Sequence, residues 1–194
     1  MTDIVALKAA NAARWKAMHT DPALAHTLDV VAARLVAPAA KQRYRSVGAQ
    51  TKVPWYVIAV IHERESSQSW AASLAQGDPW NQVSILVTRG RGPFASWEAA
   101  AVDALANCAP FAARWTDWSI GGLLTLLEEY NGLGYAMRGV PSPYIWAATD
   151  QYRSGKYIAD GHYDPNAVDH QLGCAALLAR MAIADKTIDL GAFS

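Results

Sequence analysis

Residues 53–67, VPWYVIAVIHERESS, open on a proline at a permitted first-turn position, continue as a dense apolar run and turn abruptly polar at their end. The stretch reads as a buried helix whose last turn carries two carboxylates, Glu63 and Glu65. Upstream, residues 3–19 place Ile4, Leu7, Trp15 and Met18 at helical spacing, with Thr2 or Asp3 available as a cap. Residues 21–46 follow as a second helical stretch, started by Asp21-Pro22 and striped with Leu24, Leu28, Val31 and Leu35.

Downstream the character changes. Gly77-Asp78-Pro79 and Gly90-Arg91-Gly92-Pro93 are turn signals that bracket a short β-branched run, QVSILVT at 82–88, and predict a small β-hairpin or extended arm. Residues 96–107 and 117–130 read as helices with Ser or Asp caps. The segment 131–166, rich in Gly, Pro, Ser and Tyr, predicts an ordered but irregular loop region, and 166–184 a small-residue helix. The expected class is therefore α+β, predominantly α-helical. A chain of 194 residues without repeats or low-complexity linkers is expected as one domain, residues 1–50 forming a helical extension on a core of residues 51–194.

Composition narrows the function classes. Hydrophobic residues make up 52% and Lys+Arg balance Asp+Glu at 17 each, so the chain can build a core and lacks the positive field of a nucleic-acid binder; Arg89 and Arg91 leave room for a local basic groove. Eight Trp and eight Tyr supply flat amphipathic rings of the kind that stack on sugars, although most such rings serve as core or groove wall. Cys108 and Cys174 form no CxxC pair and no histidines cluster with them, so two buried free thiols are expected, with no metal site and no cofactor. The N-terminus lacks the basic start, apolar run and cleavage site of a signal peptide. No apolar stretch reaches the roughly 18 residues needed to span a bilayer. Synthesis in the cytoplasm without membrane insertion is expected.

The chemistry concentrates at HERES. Glu65 lies seven, four and three positions after Ile58, Ile61 and His62, so its carboxyl continues an apolar face. Burial against apolar groups disfavours the charged form and keeps a carboxyl protonated, which is what the general acid of a glycosidase requires. Glu63 is an equally available carboxylate on the other side, under Tyr56, Ala59 and Val60, and periodicity does not separate the two. Glycoside hydrolysis needs a second polar group to hold water or stabilise the transition state. Asp78 is the candidate, with an ordinary turn Asp as the alternative, and Thr88 at the far end of the arm is a further candidate for orienting water.

His62-Glu63-Arg64-Glu65-Ser66-Ser67 resembles the Glu-Ser-Ser element at the catalytic helix end of the lysozyme-like superfamily, which includes lytic transglycosylases and phage endolysins. A longer resemblance, over about residues 50–180, is to bacterial and phage lysozyme-like proteins. It runs from Pro54-Trp55 through Gly77-Asp78-Pro79, Trp115-Thr116-Asp117-Trp118-Ser119, Tyr130-Asn131-Gly132-Leu133-Gly134-Tyr135 and Ser142-Pro143-Tyr144-Ile145-Trp146 to Gly155-Lys156-Tyr157.

The resemblance implies a lysozyme-like fold with a β-hairpin arm beside an active-site groove. It makes Glu65 the acid, since the Ser-Ser follows it and not Glu63, and Asp78 and Thr88 its catalytic partners. It puts Tyr130, Asn131 and Tyr144 on the sugar. The implied activity is a muramidase of endolysin type acting on peptidoglycan glycan strands. The alternatives are a lytic transglycosylase, a chitinase or chitosanase on the same fold, and a non-catalytic glycan-binding component of a phage tail or similar particle. Such a protein is expected to act as a monomer or within a particle, and to reach the cell wall after holin-type release or as part of that particle.

Overall fold

The computed structural model describes residues 2–85 and 89–190. In chain order the helices are α1 (Ile4–Ala17), α2 (Ala25–Val36), α3 (Pro38–Thr51), α4 (Trp55–Ser66), α5 (Trp97–Asn107), α6 (Ile120–Tyr130), α7 (Gly134–Met137), α8 (Pro143–Trp146) and α9 (Cys174–Ala184). Strands β1 (Lys156–Ala159) and β2 (His162–Asp164) form a two-stranded antiparallel sheet pairing Lys156 with Asp164 and Tyr157 with Tyr163. The fold is thus mostly helical with a small sheet, in agreement with the expected class.

Local chemistry sets the helix starts. The Asp3 carboxylate accepts from the amides of Val5 and Ala6, the Ser96 side chain from Ala99 and the Ser119 side chain from Gly122, each satisfying amides that have no partner within the helix. The helix expected over 21–46 is instead split. Pro38 cannot continue a helix from its N-terminal side and holds Ala37 extended (φ −53°, ψ 139°), so α2 ends and α3 begins on the proline, bent by 60°. No single helix among the described residues is long and apolar enough to cross a membrane. The bent pair α2–α3 meets that test by length and composition, and it buries Leu28, Ala32, Leu35, Tyr44 and Val47 in the protein.

The chain divides into two compact units, one built from the chain up to Ala32 together with the chain from Trp118 onward, the other from Ala33–Asp117. Residues 1–50, expected as one extension, are shared between them: α1 packs on α6 in the first unit, whereas α3 packs on α4 and α5 in the second.

In the first unit α6, α8 and α9 form the core, with Leu123, Leu124, Trp146 and Leu177 fully buried. The last helix starts at Cys174, later than expected, with Gly173 extended (φ −74°, ψ 151°) before it and lying against the backbone of α8, where a Cβ would stand 2.5 Å from the Ile145 carbonyl oxygen. Gly121 plays the same part between α1 and α6, where a Cβ would meet the Lys8 carbonyl oxygen at 2.5 Å. Gly121→Ala is therefore expected to cost about 1–3 kcal/mol by overpacking, in spite of alanine's better helix propensity. Urea unfolding measures this, and an unchanged or raised midpoint would refute so close an approach of the two helices.

The sheet is not where the sequence placed it. It lies within 131–166, together with α7 and α8, in the region expected to be irregular. Among the described residues of 74–94 there is no strand. These described residues run through turns, bends and irregular backbone, held by Phe94 N–H to the Trp80 carbonyl (2.8 Å) and Ser84 N–H to the Arg91 carbonyl (2.8 Å). Gly77, Gly90 and Gly92 at positive φ, and Pro93 without an N–H, interrupt any regular ladder.

Candidate active site

The second unit contains the end of α4 and the arm. Helix α4 is buried on nearly every side, Val57 to Ile61 and His62 all at 0% exposure, which is why apolar periodicity could not tell its two carboxylates apart. It ends without glycine. Ser67 and Gln68 both take left-handed backbone (φ 52° and 59°), the Ser67 amide returning to the Glu63 carbonyl and the Gln68 amide to the His62 carbonyl. Ser66 donates its hydroxyl to the His62 carbonyl (3.1 Å), so the Ser-Ser pair closes the helix just beyond Glu65.

Behind that end sits a polar aromatic cluster. His62 Nε2 lies 2.9 Å from the Ser69 carbonyl, which can only accept, so Nε2 carries the proton and Nδ1 accepts from the Tyr44 hydroxyl (3.0 Å). The Tyr44 oxygen in turn accepts from Gln68 Nε2 (2.9 Å). The imidazole is 4.7 Å from the Trp70 ring and 4.6 Å from Trp97, and the Arg43 guanidinium lies 4.0 Å over Trp70 while bonding Glu98. Burial pushes the Tyr44 hydroxyl up and drops His62 to about 4. These groups fix the last turn of α4 from within.

Glu63 has its partner on α2. Glu63 accepts from Arg34 at 2.6 Å, and Arg34 also donates to the Ser67 carbonyl, so this acid is tied to α2. Burial raises the Glu63 carboxyl, and the adjoining Arg34 charge and hydrogen bond pull it back. Glu65 is half-buried on the same turn. The Gly77 turn packs against its backbone: a Cβ at Gly77 would stand 3.0 Å from the Glu65 carbonyl oxygen and 3.9 Å from Ser66 Cβ. Only glycine fits there, at φ +73°. The arm thus returns to the helix end, and half-buried Asp78 follows Gly77 in it.

Asp78 holds the arm as well. Its Oδ2 accepts from the Ser84 hydroxyl (2.5 Å), and its backbone carbonyl accepts from the Ser73 amide (2.7 Å). Arg91 forms a two-pronged ion pair with Asp103 of α5, so it anchors the arm and is not the open cation of a basic groove. Thr88 lies outside the described residues.

The sugar-contact candidates belong to the first unit. Tyr130 is the last residue of α6 and half-buried, and Asn131 caps it, exposed, before Gly132 at φ +88°. Tyr144 is 3% exposed, so it offers no ring face to a sugar and serves as core, which corrects its expected role. Many other rings share that fate: Trp15, Tyr44, Trp97 and Trp146 are at most 3% exposed. Cys174 is buried and Cys108 only half-buried, and neither forms a disulfide among the described residues.

No family model, curated protein or solved structure matches the chain. Arg34, which commits Glu63, and Ser84, which holds Asp78, were not singled out in the sequence. Arg34 stands 29 positions from its partner, and no local pattern signals such a pair.

Proposed function

We propose that this chain is a lysozyme-type glycosidase that cleaves the bond between N-acetylmuramic acid and N-acetylglucosamine in peptidoglycan, with Glu65 as general acid. The observation that carries the reading is the packing of the Gly77 turn on the backbone of Glu65 and Ser66, which sets the backbone of Asp78, the next residue, beside the end of α4.

In this reading Glu65 protonates the glycosidic oxygen as the bond to the leaving sugar breaks. Asp78, with or without Thr88, positions water on the opposite face, an arrangement that needs roughly 6.5–9.5 Å between the carboxyl groups and gives inversion. The substrate would be the glycan strand, reached after release from the cell or as part of a particle.

The bond from Ser84 to Asp78 favours a second reading, in which Asp78 serves only to hold the arm. The sugar's own hydroxyl would then attack, and the enzyme would be a lytic transglycosylase. Asp78→Asn separates the two. A hydrolase is expected to lose about 10²-fold or more of its clearing activity. Near-normal activity together with anhydro-muramic ends would assign transglycosylation.

A further inference from the structure

We infer that the first unit carries a binding site for a small zwitterion, its carboxylate held by Arg14 and its ammonium by Glu128. This site is independent of the glycosidase reading. It is a cavity of about 490 Å³, walled on one side by Leu7, Ala10 and Arg14 of α1 and on the other by Glu128 of α6 with Met137 and Val140. The volume suits a small organic molecule.

The wall of α1 follows from helical spacing, since positions 7, 10 and 14 share one face. Glu128 is 2% exposed and comes from the last turn of α6. Behind it Asn11, fully buried, donates through Nδ2 to Thr125 Oγ1 (3.2 Å) and to Glu128 Oε2 (3.3 Å), which fixes the carboxyl. Glu128 Oε1 has no hydrogen-bond partner among the described residues. Arg14, half-buried, makes no hydrogen bond or ion pair among them, although its charge is near enough to act on the Glu128 carboxyl.

Arg14 and Glu128 thus line the same pocket without a hydrogen bond or ion pair between them, and Asp3, whose carboxylate caps α1, lies at its edge with Thr2. Glu128 is left short of a partner at a buried position, and half-buried Arg14 lines the same pocket. A ligand with its charges in the reverse order satisfies both: an ammonium donates to Glu128 Oε1, and a carboxylate takes the planar fork of Arg14. Burial raises the Glu128 carboxyl, and an ammonium beside it would hold it ionised. The apolar walls leave room for an aliphatic side chain between the charged ends. The ligand class is an α-amino acid or a short peptide bearing both ends.

Isothermal titration of the full chain with L-leucine tests this, with N-acetyl-leucine lacking the ammonium, leucinamide lacking the carboxylate, and glycyl-leucine setting the charges further apart. Leucine is expected to bind saturably, and each one-charge analogue to bind about 10-fold more weakly or worse. Arg14→Ala should remove the preference for leucine over leucinamide, and Glu128→Gln the preference over N-acetyl-leucine. Ala10→Trp, at an exposed position on the cavity wall, should block all binding while leaving the fold intact. Tighter binding of the dipeptide would assign peptide ends as the source of the zwitterion, and weaker binding free amino acids. No saturable binding of either, or binding that Arg14→Ala and Ala10→Trp leave unchanged, overturns the inference.

Discussion

Glu65→Gln is expected to abolish clearing of a Gram-negative peptidoglycan suspension, a loss of about 10²-fold or more, the usual scale for removing a positioned proton donor. The side chain keeps its shape and loses only the titrating proton, so the far-ultraviolet circular dichroism should not change. Glu63→Gln is the necessary control. It breaks the 2.6 Å ion pair with Arg34, which is half open to water, and is expected to lower stability by about 1 kcal/mol while most activity survives. Clearing that survives Glu65→Gln and disappears in Glu63→Gln would reverse the assignment.

The second large effect concerns acid. His62 is fully buried and its value falls from 6.5 to about 4, chiefly through burial, with the Arg43 and Arg34 charges adding to the fall. The unfolded chain therefore takes up a proton at this ring before the folded one does. The stability linked to His62 is fully present above pH 6.5 and is lost as pH falls toward about 4. That gap corresponds to about 3 kcal/mol, a substantial share of the stability of a small protein. The raised Glu63 carboxyl acts in the opposite sense as it protonates, so bulk unfolding mixes the two. Nuclear magnetic resonance of the imidazole nitrogens reads His62 alone. The ring should stay neutral, with its proton on Nε2, down to about pH 4, and titration near 6.5 would contradict the buried network.

Much of the fold was legible because it is set by local chemistry. Asp3, Ser96 and Ser119 announce helix starts within four residues of themselves, and Pro54 with the apolar run announces α4. Pro38 carried a signal that the single stretch expected over 21–46 passed over, since a proline in a helical stripe ends the helix before it. What depends on distant partners was not legible. The β-branched run 82–88 has a strand's composition, yet the described part of the arm pairs irregularly around its glycines, while Lys156–Ala159 and His162–Asp164 form the sheet.

The site divides in the same way. The turn at Gly77-Asp78 followed from turn chemistry, whereas its packing on the backbone of Glu65 and Ser66 required the folded chain. The commitment of Glu63 to Arg34 joins residues 29 positions apart and required the folded chain. Tyr144 shows the opposite failure: a residue chosen by resemblance as a sugar contact proves to be core.

The central claim is that glycan strands are cut through Glu65, and mass spectrometry of purified peptidoglycan digested by the full chain tests it most directly. The account predicts fragments ending in reducing N-acetylmuramic acid, absent when Glu65→Gln replaces the native chain. Anhydro-muramic ends would replace hydrolysis with transglycosylation while leaving Glu65 as the acid. Reducing N-acetylglucosamine ends would place the cut at the other linkage. Uncut strands after digestion with the native chain would contradict the account and leave a glycan-binding protein in its place.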